Sequence, residues 1–216
     1  FMPPLRLRNP HSVIAVLDRR PQDVYQIHCP DREQSDDWAK VRRIAEEIGI
    51  PVQAVKPDAN RSKKGKQRRH AAAEAVIKPL ESTSVNDMLA SPDEENGIWV
   101  GLDTVQDPHN VGSIFRSAAF FGVSGIVTTQ DRNAPISYTV YDVSSGGVEY
   151  VPFSIETNLS RTIDRFKEAG IWVLGTSEHA EKPISEIQRD RSWLVILGNE
   201  ENGLRRLTAD KCDDLV

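Results

Sequence analysis

The chain has 216 residues, 38% of them hydrophobic and 27% charged, with a formal net charge of −5. That balance excludes a disordered chain, and no apolar run reaches the ~18–20 residues of a membrane-crossing helix. The opening FMPPLRLRNP lacks the apolar centre of a secretory signal. Cys29 and Cys212 cannot build a disulfide framework or a paired-cysteine metal site. A cytoplasmic protein is expected.

The charge is unevenly spread. Residues 1–80 hold 16 Lys/Arg and 10 Asp/Glu, a net of +6, and residues 81–216 hold 11 and 22, a net of −11. Two units with different partners are expected. In the first, residues 11–19 read as a short helix with Val13, Ile14, Val16 and Leu17 apolar, and VYQIHC (24–29) as a strand. Asp36 or Asp37 is expected to cap a helix whose apolar face is Trp38, Val41, Ile44, Ala45 and Ile48. Gly49 ends it and Pro51 prevents its continuation. Val52 to Val55 is the next strand, and AAAEAVIK (71–78) another. Between them RSKKGKQRRH (61–70) carries Arg61, Lys63, Lys64, Lys66, Arg68 and Arg69 with no acid. Such a run stays solvated. It is either a charged loop without a ligand or the footprint of a phosphate-backbone binder.

SPDEENG (91–97) has the composition of an exposed connection, so a linker is placed at 81–97. Beyond it, strands are expected at IWVGL (98–102), GIVTT (125–129), VEYVPF (148–153), IWVLGT (171–176) and SWLVILG (192–198). Helices alternate with them at NVGSIFRSAAFFG (110–122), SYTVYDVSSGG (137–147) and around Leu159, Ile163 and Phe166, the last ended by Gly170. Continuous apolar strands alternating with helices imply a parallel sheet covered on both faces, with ligands bound beyond the carboxyl ends of its strands.

Three segments at strand ends are candidates for chemistry. In DTVQDPHNVGSIFR (103–116), Asn110 suits a helix N-cap, Gly112 permits a close approach, and Arg116 follows under two turns later. The segment is either a capped helix with a surface arginine or part of a site. Gly175-Thr176-Ser177 is either an ordinary strand-to-helix turn or a ligand edge of backbone N–H groups and hydroxyls. In LGNEENGLRRL (197–207), Gly198 and Gly203 frame Asn199, Glu200, Glu201 and Asn202. This is no phosphate loop, because Leu204 and Arg205 stand where that motif needs Lys and Ser/Thr, and the carboxylates repel phosphate. It is either a tight turn before a helix or a loop for a cationic ligand bearing hydrogen-bond donors. The histidines 11, 28, 70, 109 and 179 are scattered, and no metal site is expected.

DPHNVGSIFRSAAFFGV (107–123) resembles the first signature of the SpoU/TrmH family of RNA ribose 2′-O-methyltransferases (SPOUT superfamily), with its N-x-G-x-x-x-R core at Asn110, Gly112 and Arg116. LVILGNEENGLRRLTADKCDDLV (194–216) resembles the second, with Gly198, Asn199, Glu200 and Gly203 in place. Both occur in the family's order and spacing. Residues 1–80 are more weakly similar to the ribosomal-protein-like RNA-binding domain of the 23S rRNA guanosine methyltransferase subgroup.

The resemblance implies an α/β chain with three parts: an RNA substrate-binding domain at 1–80, a linker at 81–97, and a parallel-sheet methyltransferase domain at 98–216. It implies S-adenosylmethionine as cofactor, RNA (rRNA foremost) as partner, and a homodimer. Arg116, Asn110 and Glu200 are implied as catalytic. Arg116 would stabilise the developing alkoxide, Asn110 orient Arg116 or the ribose, and Glu200 fix the loop or Arg116 and be able to accept the substrate's proton. Gly175, Thr176, Leu197, Gly198, Asn199 and Gly203 are implied to hold the cofactor, and the basic run to bind RNA. The alternatives are a tRNA 2′-O-methyltransferase and a non-catalytic RNA-binding or ribosome-assembly protein on the same scaffold.

The chain departs from the family in places. Glu201 stands where glycine is common, and His70 is followed by Ala71 and Ala72 rather than Gln-Gly. The third signature, an Ile-Pro strand and a Ser-Leu-Asn helix that complete a trefoil knot, is absent before Val216. A C-terminally truncated domain with an incomplete knot is therefore expected.

Overall fold

A computed structural model of the chain describes residues 3–30, 35–55, 73–90 and 96–216. The basic run at 61–69 lies outside them.

The N-terminal part holds β1 (Leu5–Leu7), α1 (Pro10–Arg19), β2 (Val24–Pro30), α2 (Asp36–Glu47), β3 (Val52–Val55) and β4 (Glu74–Ile77). Its sheet has the order β1-β4-β2-β3, antiparallel at β1–β4 and β2–β4 and parallel at β2–β3. Val13, Val16 and Leu17 of α1 and Val41 and Ala45 of α2 bury against Leu7, Ile27, Ala75 and Ile77. The cap of α2 is Ser35, whose hydroxyl accepts from Trp38 N, rather than Asp36 or Asp37. The two acids occupy the first turn, where the helix dipole favours negative charge. Ile48, expected on the buried face, is exposed.

The segment 78–90 is built into the fold. Thr83 N donates to Phe153 O at 2.8 Å, and α3 (Val85–Leu89) buries Val85 and Met88. Residues 91–95 of the expected exposed connection lie outside the described residues.

The second sheet contains β5 (Ile98–Leu102), β6 (Gly125–Thr129), β7 (Phe153–Glu156), β8 (Trp172–Gly175), β9 (Trp193–Leu197) and β10 (Asp214–Leu215). Its order is β10-β8-β9-β5-β6-β7 and every pairing is parallel, as continuous apolar strands predict. Alternate residues of one strand serve opposite faces. Val100 and Ile126 pack under α4 (Pro108–Phe121), α5 (Tyr138–Ser144) and α6 (Gly147–Tyr150). Trp99 and Val127 pack against α3 and α7 (Leu159–Glu168). A short α8 (Arg206–Ala209) precedes β10.

One expected strand is corrected. In VEYVPF, residues 148–150 belong to α6, and β7 starts only at Phe153. Tertiary packing overrides the local β-propensity. A Cβ at Gly147 would stand 2.6 Å from Phe115 O, so α6 lies directly on α4.

Candidate active site

All strands of the second sheet point the same way, so their carboxyl ends share one edge. Leu102 of β5 lies beside Leu197 of β9, and Ile196 beside Gly175 of β8. The loops leaving β5 and β9 are therefore neighbours, and several polar contacts stitch them together.

Asp103, directly after β5, is fully buried and accepts from Arg205 N at 2.9 Å and Arg205 Nε at 2.5 Å. Thr104 adopts φ 65°, a conformation that costs energy in a β-branched residue and persists only where surroundings enforce it. Its carbonyl accepts from Asn199 Nδ2 at 2.9 Å. Asn133, from the loop after β6, donates to Leu102 O at 3.0 Å and accepts from Val105 N at 2.7 Å.

The loop after β9 is the tight turn foreseen as one alternative. Asn199 and Gly203 exchange backbone hydrogen bonds at 2.9 and 3.0 Å. The Asn199 carboxamide oxygen accepts from the N–H groups of Glu201 at 3.1 Å and Asn202 at 3.0 Å. Gly203 sits at φ 64°, and a Cβ on Gly198 would collide with the Gly203 carbonyl carbon. Asn199 and Gly203 thus shape the loop from within.

The cap of α4 is Asp107, whose carboxylate accepts from His109 N at 2.8 Å, not Asn110. With capping done from Asp107, the Asn110 amide is free to reach outward, and it donates to Glu200 Oε1 at 2.8 Å. Burial alone raises the Glu200 carboxyl. Hydrogen bonds from Asn110 and from the N–H groups of Glu200, Asp107 and Gln106 outweigh it and hold the group below the usual glutamate range.

Asn110 and Glu200 share a cleft of about 520 Å³ with Ile114, Ala118 and Phe121 of α4 and with Leu197 and Gly198. Gly175 and Thr176 lie one strand away. Thr176 N and Oγ1 both donate to Ile196 O at 3.1 Å. A Cβ on Gly175 would meet Leu204 and Leu215 at 2.7 Å and Cys212 at 2.8 Å, so glycine lets those segments close over the end of β8. Gly112 serves a close approach too, but to the chain's own α5, where a Cβ would stand 2.7 Å from Val143 Cβ.

Arg116 is not gathered with Asn110 and Glu200. Six positions past Asn110, it emerges about 120° short of two full turns, on a different face of the helix. It is exposed and makes no hydrogen bond or ion pair with a described residue. Asp103, Arg205 and Asn133 were not foreseen. The one available signal was an acid directly after a buried strand. Among the described residues, no group of His, Cys, Asp or Glu is placed to hold a metal ion, and no helix is long and apolar enough to cross a membrane.

Residues 97–216 match the model of the SpoU rRNA methylase family. The chain is 33% identical to the 23S rRNA (guanosine-2′-O-)-methyltransferase RlmB of Vibrio parahaemolyticus, over 95% of this chain and 83% of the relative. It is 36% identical to a putative TrmH family tRNA/rRNA methyltransferase of Staphylococcus aureus, over 67% of this chain and 59% of the relative. The SpoU methyltransferase AviRb of Streptomyces viridochromogenes, solved with AdoMet, superposes with a TM-score of 0.76 at 20% identity, over 99% of this chain and 80% of AviRb. These likenesses and the two stitched strand-end loops lead to one conclusion: the chain belongs to the SpoU rRNA methylase family.

Proposed function

We propose that the chain transfers a methyl group from S-adenosylmethionine to a ribose 2′-hydroxyl of RNA, and that the target is a guanosine of 23S rRNA in the cytoplasm. The observation that carries the mechanism is the Asn110–Glu200 hydrogen bond, which brings the two family signatures together at the strand ends.

The residues present suit the cofactor. At the ends of β8 and β9, Leu204 and Leu215 close on Gly175 and Leu197 lines the cleft, an apolar setting that suits a flat adenine. Glu200, held ionised, is a suitable neighbour for a cation. Bound S-adenosylmethionine supplies an electrophilic methyl on a cationic sulfur. Gly175, Thr176, Leu197 and Gly198 bind it through their backbone, and Asn199 and Gly203 hold the loop in shape.

A ribose hydroxyl is a weak nucleophile until its proton leaves. Glu200 is a poor acceptor for that proton, because its lowered pKa favours the carboxylate and its oxygens are already hydrogen-bonded. Its role is to brace Asn110. A guanidinium does not give up its proton in proteins, so Arg116 acts by stabilising the developing alkoxide, while phosphate or water takes the proton.

Arg116 faces away from its own cleft, so we assign it to the cleft of a second copy in a homodimer. Phe120 and Phe121 on the same helix are 83% and 78% exposed, an apolar surface that a second copy would cover. Residues 1–80 recognise RNA, with Arg61, Lys63, Lys64, Lys66, Arg68 and Arg69 contacting phosphates; 81–97 connect, and 98–216 catalyse.

The test is methyl transfer from radiolabelled S-adenosylmethionine to 23S rRNA and tRNA transcripts, with the modified nucleotide mapped. A 2′-O-methylguanosine in 23S rRNA is expected. Modification of tRNA alone would favour the tRNA reading, and cofactor-independent RNA binding without transfer would overturn the enzyme.

A further inference from the structure

The N-terminal part is joined to the methyltransferase domain by contacts that are polar, buried and directional. Arg20, after α1, makes a two-pronged pair with Glu149 of α6, Nε to Oε2 at 2.7 Å and Nη2 to Oε1 at 2.8 Å. The side chains are 7% and 1% exposed. Arg20 Nη1 also donates to Lys78 O at 2.6 Å and to Asp23 at 3.0 Å. On α5, the Asp142 carboxylate accepts from the N–H groups of Arg8 and Asn9, each at 3.0 Å. Tyr141 Oη accepts from Leu80 N at 2.9 Å, and Ser12 Oγ donates to Tyr141 O at 2.6 Å.

The other side of α5 and α6 rests on α4, the helix of Asn110 and Arg116. Gly112 brings α4 onto Val143 of α5, Gly147 brings α6 onto Phe115 of α4, and Gly146 brings the turn between α5 and α6 onto Ala15 of α1. At all three places a Cβ would stand within 2.7 Å of its neighbour. A continuous packed path therefore runs from α1 through α5 and α6 to the helix that carries the site. A buried ion pair adds little net stability over an apolar pair of the same shape. Its planar fork does restrict the relative orientation of the groups it joins.

We propose that Arg20, Glu149 and Asp142 are positioning residues for substrate selection: they hold the N-terminal part in one orientation, so that a fixed distance from RNA contact to cleft chooses the nucleotide. This rests on the function proposed above. The RNA is gripped at one place and modified at another, and the fold itself acts as the ruler between them. The alternative design, a recognition domain on a loose tether, would leave this distance free.

Spin labels at Lys40→Cys and Glu168→Cys, both exposed sites on α2 and α7, in a Cys212→Ser background, measure the distance across the junction. The wild type is expected to give one narrow distribution, unchanged by RNA. Glu149→Gln and, as a milder variant, Asp142→Asn should broaden it. In the same variants kcat/KM on 23S rRNA should fall about tenfold or more and methylation spread to further nucleotides, with S-adenosylmethionine affinity by calorimetry unchanged. Arg20→Lys, which keeps the charge but not the fork, should fall between. A broad wild-type distribution, variants that stay narrow, or broadened variants that still methylate the same nucleotide equally well would each overturn the proposal. If the wild type methylates no RNA, the proposed function fails, and the distance measurements still decide whether the junction is rigid.

Discussion

Asn110 and Glu200, 90 positions apart in sequence, meet through a 2.8 Å hydrogen bond at the mouth of the cleft, while Arg116 on the same helix turns away. This separation leads to a mixing experiment. Asn110→Ala and Arg116→Lys should each lose most turnover while still binding S-adenosylmethionine. The lysine keeps the charge and loses the fork. If one copy's arginine serves the other's cleft, randomly mixed dimers of the two variants should regain about a quarter of wild-type activity. No recovery on mixing would place both residues in the same protomer's site.

Asp103 is buried and joined to both the backbone and the side chain of Arg205. Asp103→Ala removes charge-assisted hydrogen bonds and should destabilise the chain by about 2–3 kcal/mol in urea denaturation. It should also loosen the loop that positions Asn110. A stability change within experimental scatter would show that the pair does not hold the loops.

The Glu200 carboxyl lies below its unfolded value, because hydrogen bonds from Asn110 and the neighbouring N–H groups outweigh its burial. A depressed carboxyl contributes stability above its unfolded pKa and loses it as pH falls through the folded pKa. Glu200 should thus be more than half ionised at about pH 4.3, where a free glutamate is half protonated. An NMR titration of its side-chain carboxyl carbon reads this directly. Asn110→Ala should move the midpoint up.

Burial pushes the Cys212 thiol up to about 11; Asp213 and Asp103 add to the rise and Lys167 opposes it. At pH 8 its thiolate fraction should be more than ~100-fold below that of a free cysteine. Alkylation by iodoacetamide, followed by mass spectrometry, should be correspondingly slow. Rapid labelling would mean that the segment around Cys212 opens readily.

The basic run makes a separate prediction. Replacing Arg61, Lys63, Lys64, Lys66, Arg68 and Arg69 by Ser should weaken RNA binding and reduce the slope of log affinity against log salt by about 0.7–0.9 for each phosphate no longer neutralised. An unchanged slope would move the RNA-binding surface elsewhere.

The sequence by itself determined the parallel sheet, the positions along the chain of most of its apolar strands and the two signature loops. These depend on local periodicity, on glycines at strand ends and on a polar segment directly after a buried strand. It also pointed to Asn110, Arg116 and Glu200 as one site, through the resemblance carried by their surrounding motifs, and of these only Asn110 and Glu200 meet within the chain. Only the tertiary structure decided that Asp107 caps α4 and leaves the Asn110 amide to Glu200, since either residue suits a cap and the choice depends on what else lies within reach. It also turned the first half of VEYVPF into helix, because close contact through Gly147 outweighs the β-propensity of a few residues. The Asp103–Arg205 and Arg20–Glu149 pairs join charges 102 and 129 positions apart, and charge partners at such separations leave no periodic trace along the chain.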